Sequence, residues 1–245
     1  MKSLNMVYAL KNGKTVHISE VVSGEKCGCI CPACGEIMIA KKGSKVIHHF
    51  AHKSTIECEY GYQTSLHLAA KEIISKSKHI CLPALYLTFS GSGRKMLLMD
   101  AQSVCVFDVI LEKRINDIIP DILLKTDIGM IIVEIFVTHE IDDVKKRKIK
   151  RLDIPTIEIN LSKYDRAITN EELEITLIKE NENKQWIYNG KREQTYKRFV
   201  EVSEYKDIIV RNYALHVDNC PIKRRIWKWK PYANFNKIVK VVIIL

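Results

Sequence analysis

The sequence predicts a mixed α+β/α/β fold, and three observations support this prediction. Between residues 61 and 163, the apolar pattern is that of one helix, three strands, a second helix and a fourth strand. Five of the eight cysteines fall within the first 60 residues, which favours a metal-binding module there. After residue 163 the chain becomes charged and aromatic. We therefore expect a module at 1–60, a core at 61–163 and an extension at 164–245.

The first helix of the core is predicted at residues 64–78. Thr64 is a suitable N-cap because its hydroxyl can accept a hydrogen bond from the first helical turn. Leu66, Ala70 and Ile73 recur at helical spacing and form an apolar stripe.

Three strands are predicted after this helix. Residues 104–111 alternate and are rich in β-branched side chains, and residues 119–124 form a second strand. Residues 126–129 have the composition of a tight turn, so the third strand, 130–137, should return antiparallel to the second. The apolar run of the third strand is broken only by Glu134, which suits a buried central strand.

The second helix is predicted at residues 142–152, with Asp142 and Asp143 at its positive N-terminus. A strand at 156–161 follows it. A helical crossover of this length joins parallel strands. The expected core is thus an αβββαβ unit with a mixed sheet.

Two carboxylates occupy neighbouring strands of the predicted hairpin. Asp121 lies in the second strand and Glu134 in the third, so antiparallel pairing can bring them side by side. A carboxylate among apolar residues needs a partner, and Mg²⁺ or Mn²⁺ is a suitable one that can activate water at a phosphodiester. The alternative is that Glu134 pairs with a structural lysine or arginine and that Asp121 only begins a turn.

The order of these motifs resembles a known family. Pro120-Asp121 followed by Glu134-Ile135-Phe136 looks like the PD-(D/E)XK nuclease superfamily, with its restriction-endonuclease-like core. More narrowly, the chain resembles competence CoiA-like proteins. The matching stretches are CPACGEIMIAKKG, HHFAH, TSLHLAAKEI, IIPDIL, IIVEIFVTHEID and IPTIEINLS. The resemblance implies a metal-dependent, DNA-directed nuclease, with a role in DNA uptake and processing or in defence against foreign DNA.

The sequence departs from the superfamily motif at one position. The motif ends in lysine, whereas this chain has Phe136, which can neither orient water nor offset phosphate charge. Some members carry the lysine on a neighbouring helix, so Lys145 and Lys148 of the second helix and Lys71 of the first are candidates. If none replaces it, the alternative is a catalytically inactive nuclease-like protein that binds nucleic acid or serves as a scaffold subunit.

His67 and Lys71 lie four residues apart and share one face of the first helix. In the resembling family this helix borders the active site. The resemblance therefore implies that His67 relays a proton and that Lys71 contacts phosphate. The alternative is a surface pair, or a core histidine with satisfied hydrogen bonds.

The cysteine-rich segment predicts a structural zinc site. Cys31 and Cys34 form a C-x-x-C pair followed by a glycine that allows a tight knuckle. His52 and Cys58 are the best further ligands, with His49 as the alternative to His52. Four protein ligands make a closed, structural Zn²⁺ site, which we expect to replace a hydrophobic core in a segment with little of one. The competing possibilities are independent reduced thiols and ligation by Cys27 and Cys29.

The C-terminal segment, residues 220–245, combines basic and aromatic side chains and contains no Asp or Glu. Such a pattern suits nucleic-acid binding through charge and base stacking. The candidates are Arg224, Arg225, Trp227, Lys228, Trp229 and Lys230. The alternative is that the aromatic residues are core and the basic residues a rim.

The bulk composition indicates the compartment and the class of partner. The net charge is +10 and the pI is about 9.1, which favours a polyanion such as nucleic acid. The resemblance implies DNA rather than RNA. The apolar runs are too short for a membrane span and no secretory signal is evident, so we expect a cytoplasmic protein. Relatives of this fold commonly act as homodimers or within larger complexes with partner proteins, and we expect one of these two arrangements here.

Overall fold

The computed structural model describes residues 6–45, 47–54, 58, 60–89, 94–138, 140–164, 168–202, 204–210 and 237–243, with side chains up to Phe199. The chain divides into two compact units. The larger comprises Met1–Pro83 and Ala101–Asn189, and the smaller comprises Ala84–Asp100 and Gly190–Leu245.

In chain order, the strands are β1 (Tyr8–Lys11), β2 (Lys14–His17), β3 (Gly24–Ile30), β4 (Ile37–Lys41), β5 (His49–His52), β6 (His79–Leu82), β7 (Leu85–Thr88), β8 (Lys95–Met99), β9 (Gln102–Leu111), β10 (Ile122–Thr126), β11 (Gly129–Phe136), β12 (Thr156–Asn160), β13 (Lys184–Tyr188), β14 (Glu204–Val210) and β15 (Lys237–Ile243). The helices are α1 (Gly61–Lys76), α2 (Asp143–Leu152), α3 (Asn170–Glu174) and α4 (Gly190–Val202). Two shorter helical segments are a 3-10 turn at Ile18–Glu20 and a π turn at Ile175–Lys179.

The N-terminal sheet of the larger unit is antiparallel and has the strand order β2-β1-β3-β4-β5. Phe50 N–H donates to Met6 O at 2.6 Å, and this bridge links the segment before β1 to β5 and curls the sheet. Phe50, Met38 and Ala40 are buried. The expectation that a metal replaces the core here is wrong, because these apolar side chains form a core of their own.

Helix α1 begins at Gly61 rather than at the predicted residue 64. Tyr60 is the N-cap, and Thr64 lies in the first turn, where its N–H donates to Tyr60 O. Tertiary packing explains the difference. A Cβ on Gly61 would lie 2.8 Å from Met6 Sδ and 3.4 Å from Cys31 Sγ, so the helix starts in direct contact with the N-terminal module.

The second sheet of the larger unit has six strands in the order β13-β12-β11-β10-β9-β6. Strands β11 and β12 are parallel and joined by α2, as the crossover predicts, while the other neighbours are antiparallel. The sheet is therefore mixed, as predicted. The elements α1, β9, β10, β11, α2 and β12 occur in the predicted order, but three strands that were not predicted, β6 to β8, lie between α1 and β9, and β6 adds the edge strand beside β9. Strand β13, from the region predicted as an extension, adds an edge strand beside β12.

The boundaries of the core strands differ slightly from the predicted ones. The largest difference is in β10, which begins at Ile122 instead of residue 119. Ile115 and Ile118 form a separate bridge before it, so the chain turns once more before the strand starts. Asp121 is consequently the residue immediately before β10.

Helix α2 packs on this sheet through Ile149. Ile149 is buried in a cluster with Leu123 of β10 and Ile132 of β11. Side chains alternate along a strand, so Glu134 lies on the same face of β11 as Ile132. Helix α2 therefore covers the face of the sheet that carries Glu134.

The smaller unit contains two antiparallel strand pairs, β7 with β8 and β14 with β15. Helix α4 contacts β7. Phe89 and Phe199 meet edge to face, with ring centroids 5.4 Å apart. Among the described residues of the whole chain, no helix is long and apolar enough to cross a membrane.

Candidate functional site

Asp121 is the centre of a polar cluster that α1 and β11 complete. His67 Nε2 lies 2.8 Å and Lys71 Nζ 3.1 Å from its two carboxylate oxygens. Ile135 N–H donates to Asp121 Oδ2 at 2.9 Å. His67 and Lys71 reach the same carboxylate because they are one helical turn apart on α1. The structure thus brings both predicted α1 residues to Asp121.

Glu112 joins this cluster from the end of β9. Its backbone has a φ of +49°, and its N–H donates to Asp121 O at 3.1 Å. Its side chain accepts a hydrogen bond from Lys71 Nζ at 2.8 Å. Lys71, only 5% exposed, is therefore held between two carboxylates.

Glu134 lies beside Asp121, and its side chain is 4% exposed. In the β10–β11 pairing Ile122 faces Val133, so one further step places Asp121 opposite Glu134. Lys145 Nζ lies 2.7 Å from Glu134 Oε2. Glu134 Oε1 is buried and accepts no hydrogen bond from the residues that the structure describes, whereas the protonated Glu134 carboxyl hydrogen-bonds to Asp121.

The two carboxyl groups differ in acidity. Burial raises the pKa of Glu134 to about 7 and the charge of Asp121 acts in the same direction, while Lys145 opposes both. Burial also disfavours the ionised form of Asp121. His67, Lys71 and the Ile135 amide outweigh that effect and hold the pKa of Asp121 far below its ordinary value. Asp121 is thus ionised at neutral pH, and Glu134 exchanges its proton there.

Of the two candidate lysines on α2, Lys145 reaches the carboxylates. Asp142 caps the helix by accepting the Lys145 N–H at 2.6 Å, and the Lys145 side chain then extends to Glu134. Lys148 instead donates to Asp117 O at 3.1 Å, with its ammonium 3.5 Å from the Asp117 carboxylate. Lys148 is therefore held elsewhere, whereas Lys145 supplies a cation at Glu134.

A further buried carboxylate, Glu158, was not among the predicted site residues. It is 1% exposed and lies on β12 directly across from Glu134 in the parallel pairing. Its oxygens accept from Gln185 Nε2 at 2.8 Å and from Ile141 N–H at 3.3 Å. The signal was present in the sequence, since Glu158 interrupts an apolar strand as Glu134 does.

The Asp121–Glu134 pair has the donor set of a hard divalent cation. One carboxylate is ionised, and the other presents a buried oxygen that accepts no hydrogen bond from a described group. Carboxylate oxygens are the ligands that Mg²⁺ and Mn²⁺ prefer. Because a buried unpaired carboxylate oxygen is costly, a cation is a physically reasonable partner for it.

A second cluster lies at one end of the N-terminal sheet. Cys31 follows β3, Cys34 lies in the β3–β4 turn, His52 ends β5 and Cys58 precedes α1. Their ligand atoms all lie within 4.8 Å of one another, and Cys34 Sγ is 3.3 Å from His52 Nε2. Three thiols and one imidazole at this separation can hold a structural metal such as zinc.

The loop around Cys31 and Cys34 has the local structure that a thiolate site requires. Gly35, at a φ of +75°, donates its N–H to Cys31 O at 2.9 Å and closes the knuckle. Burial raises the pKa of Cys31 to about 11, opposed by backbone amides that approach its sulfur. Glu36 accepts from Ser54 N–H and Oγ, at 2.6 and 2.8 Å, which fastens the turn to the end of β5.

The remaining candidates for this metal lie away from the cluster. His49 is at the opposite end of β5 from His52, and its Nδ1 is 2.7 Å from Ile47 O. Cys27 and Cys29 are buried within β3, where their thiols contact Met38 O and Cys27 O. The structure therefore separates His52 from His49, which the sequence alone left open.

Residues 10–61 match the family model of the competence protein CoiA N-terminal domain. This segment is therefore similar to the N-terminal domain of that competence protein family. It contains all four residues of the Cys/His cluster and ends at Gly61, the first residue of α1. No curated protein and no solved structure matches the chain.

The CoiA-like domain and the carboxylate cluster occupy different parts of the larger unit. The matched residues end before the cluster of His67, Lys71, Asp121 and Glu134 begins. Helix α1 joins the two, since its first residue contacts Cys31 and its later turns carry His67 and Lys71. The predicted nucleic-acid contacts lie outside the described residues. These are Arg224, Arg225, Trp227, Lys228, Trp229 and Lys230.

Proposed function

We propose that this protein is a metal-dependent nuclease that hydrolyses phosphodiester bonds of DNA. The observation that carries the proposal is the environment of Glu134. One of its oxygens pairs with Lys145, and the other is buried beside the ionised Asp121 and accepts no hydrogen bond in the described structure. Lys145 thus offers the charge that the motif lysine would provide and that Phe136 lacks.

Asp121 and Glu134 are the proposed ligands of Mg²⁺ or Mn²⁺. When bound, the cation supplies positive charge for the phosphate and Lewis acidity that activates water. Proximity to a cation favours the ionised form of Glu134, whose pKa is otherwise near neutrality at about 7.

The exposure of the neighbouring cations separates their roles. The side chains of Lys145 and His67 are 30% and 26% exposed, so both can meet a phosphodiester arriving from solvent. Lys145 would offset phosphate charge, and His67 would transfer a proton. Lys71 is buried between Glu112 and Asp121, and its proposed role is to hold Asp121 in place.

The topology supports the placement of this site in a PD-(D/E)XK-like core. The order β9-β10-β11-α2-β12 after α1, although β6 to β8 intervene, agrees with that arrangement, as do the parallel β11–β12 pair and the paired carboxylates at the β10–β11 hairpin. Lys145 on α2 replaces the motif lysine from a neighbouring helix, which is one of the positions that the sequence predicts. We propose this core assignment on topology and chemistry together.

The CoiA-like domain supports DNA as the substrate and a competence-related role. Its matched family is named for a competence protein, and the chain carries a net charge of +10 that suits a polyanion. We propose a cytoplasmic protein in which the Cys/His cluster holds structural Zn²⁺. The basic C-terminal segment is proposed to add nucleic-acid contacts, within a homodimer or a larger complex.

The second candidate is a catalytically inactive nuclease-like protein that binds nucleic acid or acts as a scaffold subunit. Phe136 favours it, because the residue cannot perform the role of the motif lysine. The Asp121–Glu134 pair favours the nuclease, because without a cation the buried Glu134 carboxyl must hold a proton or place a second negative charge beside the ionised Asp121.

A cleavage assay distinguishes the two candidates. Plasmid, linear duplex and single-stranded DNA, with RNA for comparison, are incubated with Mg²⁺, Mn²⁺ or EDTA. We expect metal-dependent cutting that Glu134→Gln abolishes. Asp108→Asn is the matched control, since Asp108 is an exposed carboxylate on β9 that pairs with Lys125 at 2.8 Å. Absence of cutting by wild type, with salt-sensitive binding retained, would favour the second candidate.

A further inference from the structure

Glu158 and Gln185 extend the row of polar residues across the sheet by two strands. In register, Glu134 of β11 faces Glu158 of β12, and Glu158 faces Gln185 of β13. Partners in neighbouring strands share one face of a sheet. Glu158 therefore lies on the face that α2 covers, next to the carboxylate that Lys145 contacts.

The oxygens of Glu158 are already engaged. Oε1 accepts from Gln185 Nε2 at 2.8 Å, and Oε2 accepts from the Ile141 N–H at 3.3 Å. Glu134, by contrast, has a buried oxygen that accepts no hydrogen bond from the described residues. A cation ligand needs an available oxygen, so Glu134 fits that role and Glu158 does not.

The contact with Ile141 gives Glu158 a different role. Ile141 lies in the connection between β11 and α2, directly before the helix cap Asp142. Asp142 accepts the Lys145 N–H at 2.6 Å, and Lys145 Nζ is 2.7 Å from Glu134 Oε2. Glu158 thus fixes the backbone two residues before the helix that carries the lysine.

These contacts link Glu134 and Glu158 through α2 as well as through the pairing of their strands. The link through α2 runs from Glu134 on β11, through Lys145 and the start of α2, to Ile141, and from there to Glu158 on β12 beside Glu134. A lysine side chain has many rotamers, and ordering it is entropically unfavourable. A tether at the start of its helix limits where its Cα can lie, and so favours the ion pair.

We propose that Glu158 is a positioning residue that holds the β11–α2 connection so that Lys145 remains on Glu134. The catalytic consequence rests on the proposed nuclease function. The positional consequence belongs to the metal-free protein and can be tested without any cleavage. Gln185 supports Glu158 from β13.

The first test compares Glu158→Ala with Glu158→Gln. Both remove the charge, but the glutamine can still accept the Ile141 N–H, whereas alanine cannot. Full-length, metal-free protein is treated with a limiting amine-reactive reagent, and the labelling of each lysine is followed by mass spectrometry. Lys146 is the internal reference because it lies on the same helix and its side chain is 43% exposed. Its Nζ is 3.8 Å from Asp143 Oδ1, so it makes no contact with Glu134.

We expect Lys145 labelling, relative to Lys146, to rise several-fold in Glu158→Ala and to stay near the wild-type level in Glu158→Gln. Equal Lys145 labelling in wild type and Glu158→Ala would overturn the proposal. If Glu158→Ala does not fold, hydrogen exchange of the Ile141 amide in wild type decides. Protection is expected, and exchange at the rate of an unprotected amide would show that the tether is absent.

The second test is a double-mutant cycle on cleavage. Glu158→Ala should lower kcat more than it changes KM, and should add little to Lys145→Ala, because both remove the same contact. Additive losses would contradict an action through Lys145. If wild type cleaves nothing, the nuclease proposal fails, but the labelling result still decides the positioning role.

Discussion

Lys145 Nζ lies 2.7 Å from Glu134 Oε2, although one residue is on α2 and the other on β11. The contact places a cation at the carboxylate pair in a chain whose motif position is Phe136. The proposed nuclease activity therefore depends on the Lys145 side chain.

Removing the Lys145 ammonium should impair cleavage strongly. We expect Lys145→Ala to lower kcat/KM about 100-fold, the order of effect seen when one charge-stabilising group is removed from an active site. Lys146→Ala is the matched control, since it removes an adjacent, more exposed ammonium from the same helix. Steady-state cleavage of a labelled duplex measures both. Equal losses in the two variants would mean that general basicity of α2, rather than the Glu134 contact, matters.

The affinity for a divalent cation should increase with pH around neutrality. The pKa of Glu134 is about 7 because the group is buried beside Asp121, so below that pH a proton competes with the metal. Calorimetric titration of the protein with Mn²⁺ about one pH unit either side of this value should show tighter binding on the alkaline side. Glu134→Gln should bind weakly at both. An affinity that does not change with pH would place the cation away from Glu134.

Glu134 should make the metal-free protein less stable as the pH rises towards neutrality. A carboxyl group whose folded pKa is raised stabilises the fold below its unfolded pKa and loses that contribution as pH rises. For Glu134 the window runs from about 4.5 to about 7. We expect Glu134→Gln to raise the free energy of unfolding at the upper end relative to wild type, on the order of 1–3 kcal/mol. Urea unfolding of wild type and Glu134→Gln at the two ends of this pH window measures the free energies of unfolding. If the two proteins differ in stability by the same amount at both pH values, the prediction is contradicted.

The Cys/His cluster should bind one zinc ion per chain, and His52 should be required. His52→Ala removes a ligand whose Nε2 is 3.3 Å from Cys34 Sγ, whereas His49→Ala changes a residue at the other end of β5. Elemental analysis of purified protein should find zinc in wild type and His49→Ala and little in His52→Ala. Retention of zinc in His52→Ala would indicate another fourth ligand.

Removal of the zinc should loosen the first turn of α1 as well as the module. Gly61 N–H donates to Cys58 O at 3.2 Å, and Gly61 packs against Cys31. Hydrogen exchange with and without a chelator is expected to show lost protection at the start of α1. The opposite result, unchanged protection there, would show that the hydrophobic contacts suffice.

Local chemistry in the sequence located much of the candidate site. Cys31, Cys34 and Cys58 stand out because metal-ligand spacing depends only on a short loop and a nearby segment. Asp121 and Glu134 stand out because a carboxylate in an apolar strand needs a partner. Both patterns can be recognised without knowing how distant elements pack.

Other features depend on tertiary contacts and could not be derived from local patterns. Lys145 and Lys148 lie three residues apart on one helix, and only the packing of Ile149 decides which of them faces Glu134. Similarly, His49 and His52 have similar sequence neighbours, but the pairing of β4 with β5 places them at opposite ends of the strand. The start of α1 differs from the prediction because Tyr60 caps the helix without a side-chain hydrogen bond, and Gly61 lies close to Met6 and Cys31.

The packing of Gly61 against Cys31 also constrains the length of the chain between the two clusters. Cys58 is fixed by the Cys/His cluster at one end of that interval, and His67 is fixed by Asp121 at the other. Each residue added to or removed from a helix rotates everything beyond it by about 100°. An insertion between Gly61 and His67 would therefore turn the imidazole away from Asp121 while leaving all four residues of the Cys/His cluster unchanged. The helical part of the interval is therefore constrained in length, and Gly61 is constrained in side-chain size as well.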